Sequence, residues 1–140
     1  MGRMLCAVRG GPEGYPTQDR AIALARERGD EVLFLVVLDP SFLGAPAGSA
    51  GPDPRPALLR LGHNLLTRAA ERARRAGLTV RTLLREGSPR EQIKAVAREE
   101  GVTTVVLGRP QGKYDQFVAA ELEALAEEIE RETGAQVWIL

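Results

Sequence analysis

Val32-Leu33-Phe34-Leu35-Val36-Val37-Leu38 has no polar side chain anywhere in it. A strand with one wet face alternates apolar and polar residues, so this unbroken run reads as a central strand covered on both faces. Upstream, Met4 to Val8 is a second apolar run, ended by Arg9-Gly10-Gly11-Pro12. Glycine and proline at that point mark a loop. Between the two runs, Ala21, Ile22, Leu24 and Ala25 keep helical spacing, with Thr17 as the expected N-cap and Gly29 as the stop. Strand, helix and strand in so short a span make a βαβ unit.

Downstream the alternation continues. From Ala57 to Ala76 the residues Leu58, Leu61, Leu65, Leu66, Ala69 and Ala73 form one helical stripe, and Gly77 ends it. Val80, Thr82 and Leu84 alternate with Arg81, Leu83 and Arg85, the pattern of an edge strand with a wetter face. Gly87-Ser88-Pro89-Arg90-Glu91 has the form of a capping box, with Ser88 as N-cap, Pro89 opening the helix and Glu91 at its third position. Ile93, Val96 and Ala97 then face inward as far as Gly101. Val102 to Leu107 is another buried strand, followed by Gly108-Arg109-Pro110-Gln111-Gly112-Lys113. A last helix carries Val118, Leu122, Leu125, Ala126 and Ile129, stops near Gly134, and leads to a strand from Val137 to Leu140. Strict alternation implies an α/β fold: one three-layer domain over residues 1–140, with a five-stranded parallel sheet and two helices on each face. Right-handed crossovers and the edge-like third strand give the order 3-2-1-4-5. Residues 39–56 hold five of the nine prolines and read as a flexible Pro/Gly-rich loop within that domain.

Composition removes several classes of function. An apolar fraction of 44% excludes intrinsic disorder, and no apolar run approaches the roughly 18–20 residues of a membrane span. No long apolar segment follows Arg3, so no secretory signal is expected. The single cysteine, Cys6, has no internal disulfide partner, which suits a reducing cytoplasm. Zero net charge and six aromatic residues speak against nucleic-acid binding. The neutral total hides a polarity, because residues 57–85 hold seven arginines against one acid and residues 115–132 hold seven acids against one arginine. Both stretches have the form of solvated helix faces, and such asymmetry also steers partners.

In an open α/β sheet the ligand crevice lies beyond the carboxyl ends of the strands, where the order reverses. Here that point falls between strands 1 and 4. The candidate ligand-binding residues are Arg9, Gly10 and Gly11 after strand 1, Val37 and Leu38 at the end of strand 2, and Gly108, Arg109, Gly112 and Lys113 after strand 4. Glycines let backbone N–H groups approach an oxyanion, and a following helix N-terminus adds partial positive charge. Arg9, Arg109 and Lys113 supply cations for phosphate. Glycine-rich turns also close strands where nothing binds, so the pattern alone does not name a ligand. Catalytic constellations are thin. His63, the only histidine, lies mid-helix away from the crevice, Cys6 lies inside a strand, and no acid pair stands beside a nucleophile. No metal site and no enzymatic activity are expected.

Met4-Leu5-Cys6-Ala7-Val8, the helix from Thr17 and Val32 to Leu38 resemble the opening of the universal stress protein family. Gly87-Ser88-Pro89, Ile93, Ala97 and Glu100 to Gly108 resemble its second half. The run Gly101 to Pro110 is most similar to the universal-stress-type domain of KdpD-type potassium-sensing histidine kinases, and the chain would be a free-standing relative of it. The resemblance implies an α/β homodimer, often paired through the last strand, in a family with ATP-binding and non-binding members. ATP-binding members carry Gly-x2-Gly-x9-Gly-Ser/Thr after strand 4 and an aspartate at the end of strand 1. Gly108 matches the first glycine, whereas the second stands one place late at Gly112, Leu122 occupies the place of the Gly-Ser/Thr pair, and Arg9 replaces the aspartate. The serine-rich first loop and aromatic second-strand motif of the cyclic-dinucleotide-binding KdpD-type domains are missing too.

These observations lead to a non-catalytic regulatory domain whose crevice takes an anionic nucleotide: ATP, AMP or a cyclic dinucleotide. A homodimer through the C-terminal strand and a protein partner are the expected associations, without nucleic acid or membrane insertion. Two alternatives stand beside this reading. One is a ligand-free dimeric interaction module. The other is an ATP-pyrophosphatase-like enzyme, because Arg9-Gly10-Gly11-Pro12-Glu13 resembles the Ser-Gly-Gly-x-Asp-Ser loop of that class without its serines and aspartate.

Overall fold

Strand and helix alternate along the chain in the order β1 (Arg3–Ala7), α1 (Tyr15–Arg28), β2 (Glu31–Leu38), α2 (Arg55–Arg75), β3 (Val80–Glu86), α3 (Pro89–Glu99), β4 (Thr104–Leu107), α4 (Ala119–Thr133) and β5 (Gln136–Ile139). The computed structural model describes residues 2–8, 14–39, 53–109 and 119–140. Its five strands form one sheet in the order β3-β2-β1-β4-β5, and every pair is parallel. β1 and β4 are neighbours, with Met4 opposite Thr104, Leu5 opposite Val105 and Cys6 opposite Val106. The expected topology is therefore observed, switch point included.

Period-two alternation on the strands sorts the core into two layers. Met4, Cys6, Val32, Phe34 and Val36 pack with Ala21, Ile22 and Ala25 of α1 and Leu66, Ala69 and Ala73 of α2. Leu5, Leu33, Leu35 and Val105 point the other way, onto Ile93, Val96 and Ala97 of α3 and Leu122, Leu125 and Ile129 of α4. Phe34 is fully buried at the middle of β2. Gly62 lets α2 lie close over β3, since a Cβ there would stand 2.7 Å from Leu84 Cδ1. Gly29 closes α1 at φ 70°, a left-handed turn that its missing side chain makes inexpensive.

Several local expectations need correction. Helix α1 begins at Tyr15 with Gly14 at the cap, so Thr17 lies in the first turn. Pro16, with its φ already helical, starts that helix without a side-chain cap. Ser88 does hold the N-cap position of α3, but its side chain makes no capping hydrogen bond. Glu91 instead meets Lys94 at 3.5 Å. Helix α2 starts at Arg55 with Pro56 in its first turn, inside the stretch read as loop. Leu61 does not join the buried stripe: it is 52% exposed. Residues 40–52 and Val118 lie outside the described residues.

Ion pairs tie α3 to α4. Arg90 forks onto the Glu128 carboxylate, with Nε at 3.0 Å, and Lys94 Nζ approaches Glu128 at 3.4 Å and Glu132 at 3.5 Å. The hydrogen bond from Arg90 holds the Glu128 carboxyl below its ordinary range. Desolvation pulls Lys94 down, but the carboxylates of Glu128, Glu132 and Glu91 outweigh it and leave the ammonium raised. At the sheet edge, Gln136 and Leu140 donate inward to Thr103 O and Leu107 O. The N–H of Val137 points outward and is taken by Glu130 Oε1 at 3.3 Å.

Candidate functional site

A crevice of about 340 Å³ opens at the carboxyl ends of β1, β2 and β4. Its floor is Ala7 and Val8 on one side and Leu107 and Gly108 on the other, which follows directly from the β1–β4 pairing. Val37 and Leu38 close it from β2. Backbone hydrogen bonds fix these ends: Val8 N–H to Leu35 O at 2.7 Å, and Gly87 N–H to Leu38 O at 2.9 Å. Helices supply the walls. Leu61 and Leu65 come from α2, Pro89 and Ile93 from α3, and Leu122 and Leu125 from α4. The surface so formed is almost wholly apolar, with the first turn of α3 entering at Pro89. That turn brings the positive end of a helix dipole to the rim.

Of the candidate residues, Val37, Leu38 and Gly108 are brought together in this crevice. Arg109 follows Gly108, is exposed, and donates its backbone N–H to Leu140 O at 2.9 Å, which joins the end of β4 to the end of β5. Arg9, Gly10, Gly11, Gly112 and Lys113 lie outside the described residues. The helical wall residues Leu61, Leu65, Pro89 and Ile93 were not among the candidates. Ser88-Pro89 was the available signal, because a helix that starts right after β3 must place its first turn at the same end of the sheet as the crevice.

Neither reactive side chain serves this site. Cys6 is fully buried one residue beneath the floor, and burial pushes its thiol from 9.0 to about 12. His63 is exposed on α2 and does not line the crevice. Among the described residues no group of histidine, cysteine and acidic side chains is placed to hold a metal ion. No helix among them is long and apolar enough to cross a membrane.

The model of the universal stress protein family matches residues 1–129. The chain belongs to the universal stress protein family. Comparison with curated proteins finds no relative by sequence. Among solved structures, this universal stress protein resembles a family member from Burkholderia pseudomallei with a TM-score of 0.74 at 21% identity, covering 99% of this chain and 95% of that one. A universal stress protein in complex with cAMP gives 0.68 at 17% identity, with 99% and 96% covered. The Archaeoglobus fulgidus universal stress protein in complex with dAMP gives 0.65 at 16%, with 99% and 97% covered. At such identities the likeness establishes the shared fold of the universal stress proteins and leaves the ligand to be argued from the crevice.

Proposed function

We propose that this universal stress protein is a non-catalytic regulatory domain that holds an adenine nucleotide, or another anionic nucleotide, where β1 and β4 lie side by side. The crevice at that switch point carries the reading. Its apolar walls suit the faces of a base, whose burial between aliphatic side chains removes apolar surface from water. Gly108 and the first turn of α3 offer backbone donors and a positive helix end to the sugar and phosphate. Structures of the same fold hold cAMP and dAMP. Among the described residues no nucleophile or general base lines the crevice, which favours binding over turnover, and a lone buried thiol suits a cytoplasmic protein. The run Gly101 to Pro110 supports kinship with the KdpD-type domains.

Thermal melting with ATP, AMP and cyclic di-AMP tests the ligand. At about 100-fold excess over a micromolar Kd, binding stabilises by about 2.7 kcal/mol, or about 9 °C for a chain of this size. No shift with any of the three would overturn the reading. Pyrophosphate release from ATP would replace it with the enzymatic alternative.

A second reading, pairing of two copies through β5, has its own observation. Val137, Trp138, Ile139 and Leu140 are only half-buried at an open edge of the sheet. Sedimentation as a monomer at micromolar concentration would remove it.

A further inference from the structure

The two helical layers carry opposite charge. Helices α1 and α2 together hold nine arginines against three acids, Asp19, Glu27 and Glu71. Helices α3 and α4 hold eight glutamates against four cations, Arg90, Lys94, Arg98 and Arg131. The two core layers place these pairs of helices on opposite faces of the sheet. A neutral molecule is thus built as a basic face and an acidic face, with the sheet between.

Among the described residues, many of the charges that give each face its sign have no ion-pair partner. On the basic face, Arg72 pairs with Asp19 and Arg55 with Glu86. Arg20, Arg26, Arg60, Arg68, Arg74 and Arg75 are exposed and make no ion pair among the described residues. Arg60, Arg68 and Arg75 fall on one stripe of α2, spaced about 10–12 Å apart along the helix. On the acidic face, Glu128 and Glu132 are engaged by α3, whereas Glu123 and Glu127 are exposed, one turn apart, without an ion pair among the described residues.

We infer that the basic face of α1 and α2 docks on the acidic α4 face of a second copy of this chain. The same molecule presents both halves of a charge-complementary contact, and that complementarity selects a second copy over a foreign polyanion. The contact is heterologous: each copy uses one face to receive and the other to give, so it does not close on itself and association runs on into short stacks. Edge pairing through β5 is compatible with it. A two-fold axis normal to the sheet keeps like faces on the same side and doubles the polarity of the unit. Exposed pairs are individually weak and screened by salt, so the association is concentration-dependent and disappears as ionic strength rises.

Sedimentation velocity of the full chain near 100 µM, between about 20 and 500 mM NaCl, tests this, because the Debye length falls from roughly 20 Å to roughly 4 Å over that range. The expected result is a weight-average mass that rises at low salt and returns to a constant unit at high salt. The exposed-surface variants R60Q/R68Q/R75Q and E123Q/E127Q should each lose the low-salt rise. Mixed together they should recover a single contact, because one keeps the acidic face and the other the basic face, and give a 1:1 complex of twice the unit mass. A wild-type mass unchanged by salt, or a mixture that stays apart, overturns the inference. So does salt-dependent retention on heparin without self-association, which would assign the basic face to a polyanion.

Discussion

The two ends of the sheet are built to opposite rules. At the amino ends of the strands lies the larger hollow, about 820 Å³, lined by charged side chains that include Arg3, Asp30, Glu31 and Glu100. Each of those four groups is already engaged. Arg3 Nη1 donates to Glu100 O at 2.8 Å, Arg3 also pairs with Glu31, Arg81 reaches the Glu100 carboxylate at 2.9 Å, and Asp30 accepts the Gly2 N–H at 2.7 Å. Helix carboxyl ends converge there, and the carbonyl of Glu100 at the end of α3 is satisfied by a guanidinium. The carboxyl-end crevice has less than half the volume and apolar walls. The proposed ligand crevice is therefore the smaller of these two hollows. Among the described residues, one end is braced by polar contacts between its own groups, and the other presents apolar side chains from three strands and three helices.

That contrast can be tested at four places. The largest effect concerns Cys6, under the crevice floor. With its thiol at about 12 in the folded chain against 9.0 when exposed, alkylation at pH 8 should run about a thousandfold slower than in the unfolded chain. A rate near the unfolded one would show the crevice wet down to β1. As pH rises above about 9 the unfolded chain releases this proton and the folded chain keeps it, so stability falls by up to about 1.4 kcal/mol per pH unit towards pH 12. Cys6→Ala should remove that slope in urea titrations. Next, Ile93→Ala opens the α3 wall and should cost about 2–4 kcal/mol by urea unfolding, since Ile93 is 7% exposed. A cost below about 1 kcal/mol would mean that the wall is not packed. At the other end, Arg3→Ala removes the brace and should cost about 1–2 kcal/mol, a value already reduced for a guanidinium over one-third exposed. No loss there would erase the distinction between the ends. Smallest of all, Leu61→Ser should leave stability within about 0.5 kcal/mol while reducing any nucleotide-dependent rise in melting temperature.

The sheet order was legible because local signals agreed with tertiary demands. Val32 to Leu38 reads as central and is central, and the arginine-bearing β3 reads as an edge and is one. Helix starts were less legible, because two chemistries compete at each. Thr17 has the right side chain for a cap, but Pro16 already fixes a helical φ one residue earlier, and the first turn forms around the proline. The same competition moved the start of α2 to Arg55, next to Pro56. Leu61 shows a different limit. Its spacing is helical and apolar, yet neighbouring Gly62 makes the close approach to β3 while Leu61 lines the crevice and stays 52% exposed, so periodicity found the apolar position and overstated its burial. For the crevice, strand ends could be named from topology, whereas its walls come from three helices far apart in sequence. Only docking of those helices reveals them.

The carboxylate of Glu130 on the outward N–H of Val137 has a consequence for how sheets of this kind stay separate. A strand arriving at β5 finds one of its two outward donors occupied from within the same chain. Joining the sheet is then an exchange, in which an internal acceptor is released before an external carbonyl takes its place, and the net gain is smaller by about one hydrogen bond. Glu130 thereby acts as a guard against indiscriminate strand addition, and a partner that succeeds must bring more than backbone.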